Sequence, residues 1–223
     1  MRLLLIRHGQ TPGNVLGQLD TDHPGPGLTE LGEQQAAALA RSLANERIGL
    51  LYASTLIRTQ ITAQPLATLR GLDVGILAGL REIEAGSLEK LTDRESHLRY
   101  FGTVAAWTAG DLDRQMPAGP NGHEFFDRFD ASIARIAGAA EGVAGSGAVA
   151  VVSHGAAIRV WAGVRAVNVE PEFALRHVIA NTGIVALEGD PDAGWRLIHW
   201  DESPVGGLVL ADPTAEDPTG RPA

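Results

Sequence analysis

Two stretches of the chain end in the same device. An early one reads Leu3-Leu4-Leu5-Ile6-Arg7-His8-Gly9, and a late one reads Ala148-Val149-Ala150-Val151-Val152-Ser153-His154-Gly155. In each, an apolar run leads to a histidine followed by a glycine. Such runs suit strands buried on both faces of a parallel sheet. Open sheets of that kind present their ligands at the carboxyl ends of the strands. The glycine lets the backbone turn sharply and come close to a ligand. One histidine so placed reads as a hydrogen-bonded residue at a strand end. Two at equivalent places, one with an arginine beside it, point to a site.

Two more residues extend the pattern. Arg58 follows the second apolar strand, in Ser54-Thr55-Leu56-Ile57-Arg58-Thr59. Alone it would be a solvated helix arginine. With Arg7 it makes a pair of guanidinium forks able to grip the non-bridging oxygens of a phosphate. Glu82 follows a third apolar segment, in Leu80-Arg81-Glu82-Ile83-Glu84-Ala85-Gly86. Alone it is an ordinary surface glutamate. Beside a phosphate pocket it can give a proton to a leaving oxygen, help worth about 10²- to 10⁴-fold in rate.

These residues need elements to carry them. Leu3 to Ile6, Gly49 to Ala53, Val74 to Leu77, Ala148 to Val152, Gly183 to Leu187 and Trp195 to Trp200 read as strands. Helices are expected from Thr29 to about Asn45, from a cap at Ser54 or Thr55 to Gly71, over Asp93–Gly110, from Glu124 to about Val143, and over Gly155–Val164. Thr29 suits an N-cap, and Phe125, Phe129, Ile133 and Ile136 fit one helical face. Asn14 to Gly27, rich in Gly, Pro and Asp, reads as a long loop. Strands alternating with helices predict an α/β fold: a mainly parallel central sheet with helices on both faces. Residues 1–200 are expected to form one domain, and residues 201–223, rich in Pro, Gly and Asp, a loose C-terminal tail.

Composition narrows the function. The 223 residues are 44% hydrophobic and 20% charged, as in a soluble globular protein. A net charge of −9 argues against nucleic-acid or anionic-membrane binding. The chain has no cysteine, which excludes disulfides, thiolate catalysis and Cys-type zinc sites. No apolar stretch is long enough for a signal segment or membrane span, so the expected location is the cytoplasm. A nucleotide-binding α/β protein is disfavoured, since neither GxxxxGK[ST] nor a GxGxxG after the first strand occurs.

Taken together these residues resemble the histidine phosphatase superfamily, also called the phosphoglycerate mutase-like family. The resemblance covers about Met1 to His199. It rests on RHGQTPGN with Thr11 and Asn14, on Leu28-Thr29-Glu30-Leu31-Gly32 with Gln35-Ala36, on Ser54 with Arg58-Thr59 and Thr62-Ala63, on Glu82 with Gly86, and on Ser153-His154-Gly155. Each is weak alone; their order and spacing make the signal. The resemblance implies a phosphoglycerate mutase-like fold and a phosphohistidine on His8. It also implies a phosphate pocket of Arg7, Arg58, His154 and Asn14, with Glu82 as proton donor. His8 must be neutral to attack, and the two arginines disfavour a further positive charge there. No cofactor or metal is implied, and the expected partner is a small phosphorylated substrate.

A mutase is the alternative within the family. Mutases of this pattern carry a basic, proline-rich middle segment and Arg-His-Tyr-Gly after the acid glutamate. This chain has Glu84-Ala85-Gly86 and no such segment, which favours hydrolysis. A non-catalytic phosphate-binding module is disfavoured because His8 and Glu82 are both present. The chain departs from the family's Gly-Glu-Ser at Gly122-His123-Glu124. His123 and Glu124 read either as tuning substrate choice or as a helix cap, His23 is equally open, and Trp107 reads as core or as a lid.

Overall fold

Apolar residues on both faces of a strand require cover on both faces, and the first strand shows where that cover comes from. In the computed structural model, which describes residues 1–142, 147–170 and 172–220, β1 spans Arg2–Arg7 and is buried from Leu3 onward. Leu3 and Leu5 join one core cluster, while Leu4 and Ile6 join another. Helices α2 (Glu30–Ser42) and α3 (Ile57–Arg70) meet the second cluster with Leu39, Leu43, Ala63 and Leu66. On the opposite face α4 (Arg94–Thr108), α5 (Gly122–Glu141) and α6 (Gly155–Arg165) bring Tyr100, Trp107, Phe125, Phe129 and Trp161. The aromatic side supplies most of the buried bulk, and Ala148, Ala150 and Ala186 keep the other side thin.

The remaining strands are β2 (Ile48–Ala53), β3 (Val74–Ile76), β4 (Ala148–Ser153), β5 (Ile184–Asp190) and β6 (Gly194–Trp200). They form one sheet in the order β3-β2-β4-β1-β5-β6. The pairs β2–β3, β2–β4 and β1–β4 are parallel, and β5 runs antiparallel to both β1 and β6. The sheet is therefore mainly parallel, as expected. One register matters for function: Arg7 pairs with Ser153. His8 and His154 thus leave adjacent strands at the same level. Ala53 pairs with Val152, so Ser54 leaves the neighbouring strand at the same edge.

Several expectations are corrected. Asn14 lies not in a loop but in a short helix, α1 (Pro12–Leu16), where Thr11 and Asn14 form a capping box. Helix α2 ends at Ser42 rather than Asn45. Neither Ser54 nor Thr55 caps α3; Leu56 is its N-cap and makes no side-chain cap bond. The Ser54 hydroxyl is instead turned to His154. The expected end of α5 at Val143 lies outside the described residues. A one-turn helix, α7 (Phe173–Arg176), carries no clear periodic signal.

The expected loose tail is also corrected. Ala215 and Thr219 are 5% and 7% exposed, and the segment is tied to the end of the sheet by polar side chains. Composition alone hides such anchoring, because it relies on single hydrogen bonds and not on apolar periodicity. Residues 221–223 lie outside the described residues. Among the described residues no helix is long and apolar enough to cross a membrane.

Candidate active site

His8 sits one residue past β1 and is 2% exposed. Its Nδ1 lies 2.7 Å from the carbonyl oxygen of Gly9. A carbonyl can only accept, so Nδ1 carries the hydrogen and Nε2 keeps its lone pair in the neutral ring. Burial holds the His8 pKa well below its ordinary value, with Arg58 and then Arg7 adding to the effect. Desolvation is therefore the first cause of neutrality, ahead of the flanking arginines that the sequence brings to mind.

His154 mirrors this arrangement. Its ring centroid is 5.2 Å from that of His8, edge to face. Nε2 is 2.8 Å from the Ser54 hydroxyl, and Nδ1 is buried without a partner. Burial also lowers its pKa well below the ordinary value, followed by the charge of Arg58. Arg58 donates from Nη2 to the Asp20 carbonyl at 2.9 Å, and its Nη1 is buried without a partner. Arg7 likewise has Nε unpartnered, 3.0 Å from where a Cβ on Gly155 would stand. Each of these side chains is held by protein at one edge and leaves a nitrogen free at the other. Buried polar atoms left unpaired are costly, about 1–3 kcal/mol each, and a shared anion would satisfy the two arginines together, with His154 joining them when Nε2 accepts from Ser54 and Nδ1 carries the hydrogen.

Glu82 lies under the start of α6. Its Oε1 accepts from the amides of Ile83 at 3.0 Å and Ala157 at 2.8 Å. Oε2 accepts from Ala156 at 3.1 Å. These three N–H groups favour the carboxylate, yet burial outweighs them and raises the pKa above the ordinary value. Oε1 has both lone pairs engaged. Oε2 has only one partner and is the oxygen with room for a proton.

The loop bearing His8 is fixed from several sides. The Gly9 amide donates to Thr62 Oγ1 at 3.0 Å, and the Gln10 amide to Gln35 Oε1 at 2.8 Å. A Cβ on Gly32 would overlap the Gln10 carbonyl oxygen and stand 3.0 Å from the Gln10 amide nitrogen. Gly32 and Gln35 thus let the first turns of α2 dock directly on the His8 loop. Asn181 Nδ2 donates to the His8 carbonyl at 3.1 Å. The Thr182 amide reaches the carbonyls of Arg7 at 3.0 Å and His8 at 3.3 Å from a left-handed backbone, φ 60°. That conformation is rare for a β-branched residue and marks a constrained position.

Arg7, His8, Arg58, Glu82 and His154 meet at one end of the sheet: Arg58 acts electrostatically on both histidines and on Glu82. Asn14 is adjacent, but its Nδ2 donates to Asp217 at 3.0 Å and its Oδ1 accepts from Thr11 and Asn181. His23 is exposed, in the loop whose Gly25 abuts Arg58. Trp107 is fully buried and stacked on Phe125 at 5.9 Å, so it is core and no lid. Glu124 forms a capping box with Asn121, and His123 meets Asp113 at 3.3 Å on the surface. Sequence reasoning missed Asn181, Thr182, Asp217 and Thr219. Only Asn181-Thr182-Gly183 carries a signal, a turn-like triplet before a strand.

Comparisons with known proteins show the family and the fold. The family described as histidine phosphatase superfamily (branch 1) matches residues 3–203. A PE-PGRS family protein, PE_PGRS11 of Mycobacterium tuberculosis, is 40% identical over 221 residues. The match takes in 94% of this chain but spans only 38% of that protein's length. A probable phosphoglycerate mutase GpmB of an Enterobacter species is 29% identical, covering 99% of this chain and 100% of its own. Among solved structures, a mycobacterial glucosyl-3-phosphoglycerate phosphatase complexed with VO3 superposes with a TM-score of 0.76. It is 26% identical and covers 90% of this chain and 98% of its own.

Proposed function

We propose a reaction from one premise: the chain belongs to the histidine phosphatase superfamily, branch 1. It is a phosphatase, and the substrate is a small phosphate monoester. In the first half-reaction His8 Nε2 attacks phosphorus and the bond from phosphorus to the alcohol oxygen breaks. Glu82 gives the proton on Oε2 to that oxygen, and the alcohol leaves. In the second half-reaction the Glu82 carboxylate takes a proton from water as the water oxygen attacks the phosphohistidine. Orthophosphate leaves, His8 returns to its neutral form and Glu82 is protonated again.

Arg7, Arg58 and His154 hold the phosphoryl oxygens throughout. Charge on those oxygens in the transition state is met by preorganised donors in a dry site, which is most of what phosphoryl transfer demands. No step calls on a metal ion. One observation carries the reading. Two buried donors, Arg7 Nε and Arg58 Nη1, and the ring nitrogen His154 Nδ1 have no protein partner, beside an imidazole whose tautomer leaves Nε2 available. The low pKa of His8 and the raised pKa of Glu82 suit a nucleophile and an acid.

The test is a panel of phosphorylated metabolites that includes phosphoglycerates and glucosyl-3-phosphoglycerate, scored for free phosphate and for isomerised product. Free phosphate from the parent, its loss in His8→Ala and no effect of EDTA are expected. Isomerised product without phosphate release would replace the phosphatase with a mutase. Undiminished turnover by His8→Ala would end the mechanism.

A further inference from the structure

We infer that Asp217, on the C-terminal segment, is a positioning residue for Arg7, so that this segment completes the active site. The inference rests on the proposed function, in which Arg7 presents its Nε to the phosphoryl group. Arg7 is fully buried and its guanidinium is almost wholly engaged. Nη1 donates to the Ile179 carbonyl at 2.9 Å and to Asp217 Oδ2 at 2.7 Å. Nη2 donates to Asp217 Oδ1 and, at 3.2 Å, to Thr219 Oγ1. Asp217 therefore grips both ends of the fork, the bidentate geometry that best fixes a guanidinium plane. Only Nε remains, and it points at the start of α6 beside His154.

The clamp is itself held. The Asp217 amide donates to the Asn14 carbonyl at 2.9 Å, and Asn14 Nδ2 donates to Asp217 Oδ1 at 3.0 Å. The Ile179 amide donates to the Gly220 carbonyl at 3.1 Å, and a Cβ on Gly220 would overlap Arg7 Nη1. Gln35 reaches the Leu210 carbonyl at 2.8 Å, and Gln10 reaches Asp212 at 2.9 Å. The residues that anchor the His8 loop thus anchor the segment too. Asp217 takes a left-handed backbone, φ 35°, which aspartate tolerates better than most residues. Asn14 acts through Asp217, as a second member of the clamp.

A carboxylate on an arginine of a phosphate pocket could instead be a built-in inhibitor standing where phosphate belongs. The hydrogen-bond pattern favours positioning. Asp217 uses none of the three orphaned nitrogens, Arg7 Nε, Arg58 Nη1 and His154 Nδ1. It sits behind the guanidinium, opposite the edge left free. It also sets one negative charge against a buried cation that would otherwise stand uncompensated near a second cation, Arg58.

The experiment compares the full chain with Asp217→Ala and Asp217→Asn. It reads kcat and KM for p-nitrophenyl phosphate, the dissociation constant of orthovanadate by calorimetry, and the melting temperature. Asp217→Ala is expected to lower kcat by up to about 10²-fold, as a misplacement of about 1 Å in a catalytic group does, with a smaller change in KM. Vanadate affinity should fall as well. Asp217→Asn, which keeps one acceptor oxygen and the side-chain shape, should fall between the two. Since Asp217 is 15% exposed, added formate should reach the truncated site and restore part of the Asp217→Ala activity, a response that a purely structural role would not give. Turnover and vanadate affinity equal to or above the parent's would overturn the inference and mark the segment as inhibitory or idle. A loss in both variants that formate leaves untouched, with a lowered melting temperature, would also overturn it. If the parent hydrolyses no ester, the proposed function fails, and the vanadate measurement still decides the clamp.

Discussion

Replacing Glu82 with glutamine separates the two things this side chain does. The carboxylate accepts three backbone N–H groups, two on Oε1 and one on Oε2. A glutamine oxygen can keep the Ile83 and Ala157 amides, but its NH₂ must then face the Ala156 N–H, donor against donor. One buried N–H left unpaired costs about 1–3 kcal/mol. A domain of this size loses about 2–4 °C of melting temperature per kcal/mol, so Glu82→Gln should melt about 2–12 °C lower. The catalytic loss is different in kind. An alkyl phosphate needs a proton on its leaving oxygen, and kcat/KM for it should fall about 10²- to 10⁴-fold. p-Nitrophenolate leaves without one, so kcat/KM for its ester should fall far less, while its kcat still carries the loss of the base in the second half-reaction. The pH profile gives a second check. Burial raises the Glu82 pKa, so the proton needed for an alkyl leaving group is present below that raised value and lost as pH climbs through it. The parent's kcat for alkyl phosphates should therefore decline on the alkaline side, and in Glu82→Gln that decline should vanish. Equal falls in kcat/KM for both esters at every pH would refute the acid role.

Three further outcomes are expected. Gly32→Ala puts a methyl group onto the Gln10 carbonyl; it should cost about 1–3 kcal/mol in urea unfolding and lower kcat, whereas parent-like values would show that α2 does not set the His8 loop. Ser54→Ala removes the 2.8 Å partner of His154 Nε2; a buried bond of that kind is worth about 1–3 kcal/mol, so kcat/KM should fall about 5- to 150-fold, and an unchanged value would contradict the role given to His154. Burial lowers the folded pKa of His8 and of His154, so the stability they contribute is present above the unfolded value of about 6.5 and is lost as pH falls through the folded values. Glu82, raised in the fold, acts in the opposite sense, gaining its proton more readily in the folded state as pH falls. Urea-unfolding stability should therefore fall as pH drops below about 6.5, and a flat profile from pH 7 to 5 would show the histidines to be solvated.

The site was legible where a residue's chemistry coincides with a strand end. Arg7-His8-Gly9 and Ser153-His154-Gly155 stand out because fully apolar strands precede them, and the Arg7–Ser153 register turns that likeness into adjacency. Gly32 and Gln35 could be matched as a motif, but the reason for them, a backbone-to-backbone contact at Gln10, exists only in three dimensions. Ser54 suits a helix cap by local propensity, and a long-range partner, His154, overrides it. Asp217 was illegible, because one carboxylate in a Pro- and Gly-rich stretch has no period and its partner lies at the other end of the chain. The ambiguity at Trp107 was of another kind: a core aromatic and a lid aromatic look alike until burial is known.

The proposed reaction turns on covalent transfer to one imidazole nitrogen. Rapid quenching of the enzyme during turnover of a ³²P-labelled ester, followed by alkaline digestion and peptide mapping, tests it most directly. Acid-labile, alkali-stable label on the peptide bearing His8 is the predicted result. Label on His154 or on a carboxylate would contradict the mechanism, as would a complete absence of label under conditions where product forms in a burst.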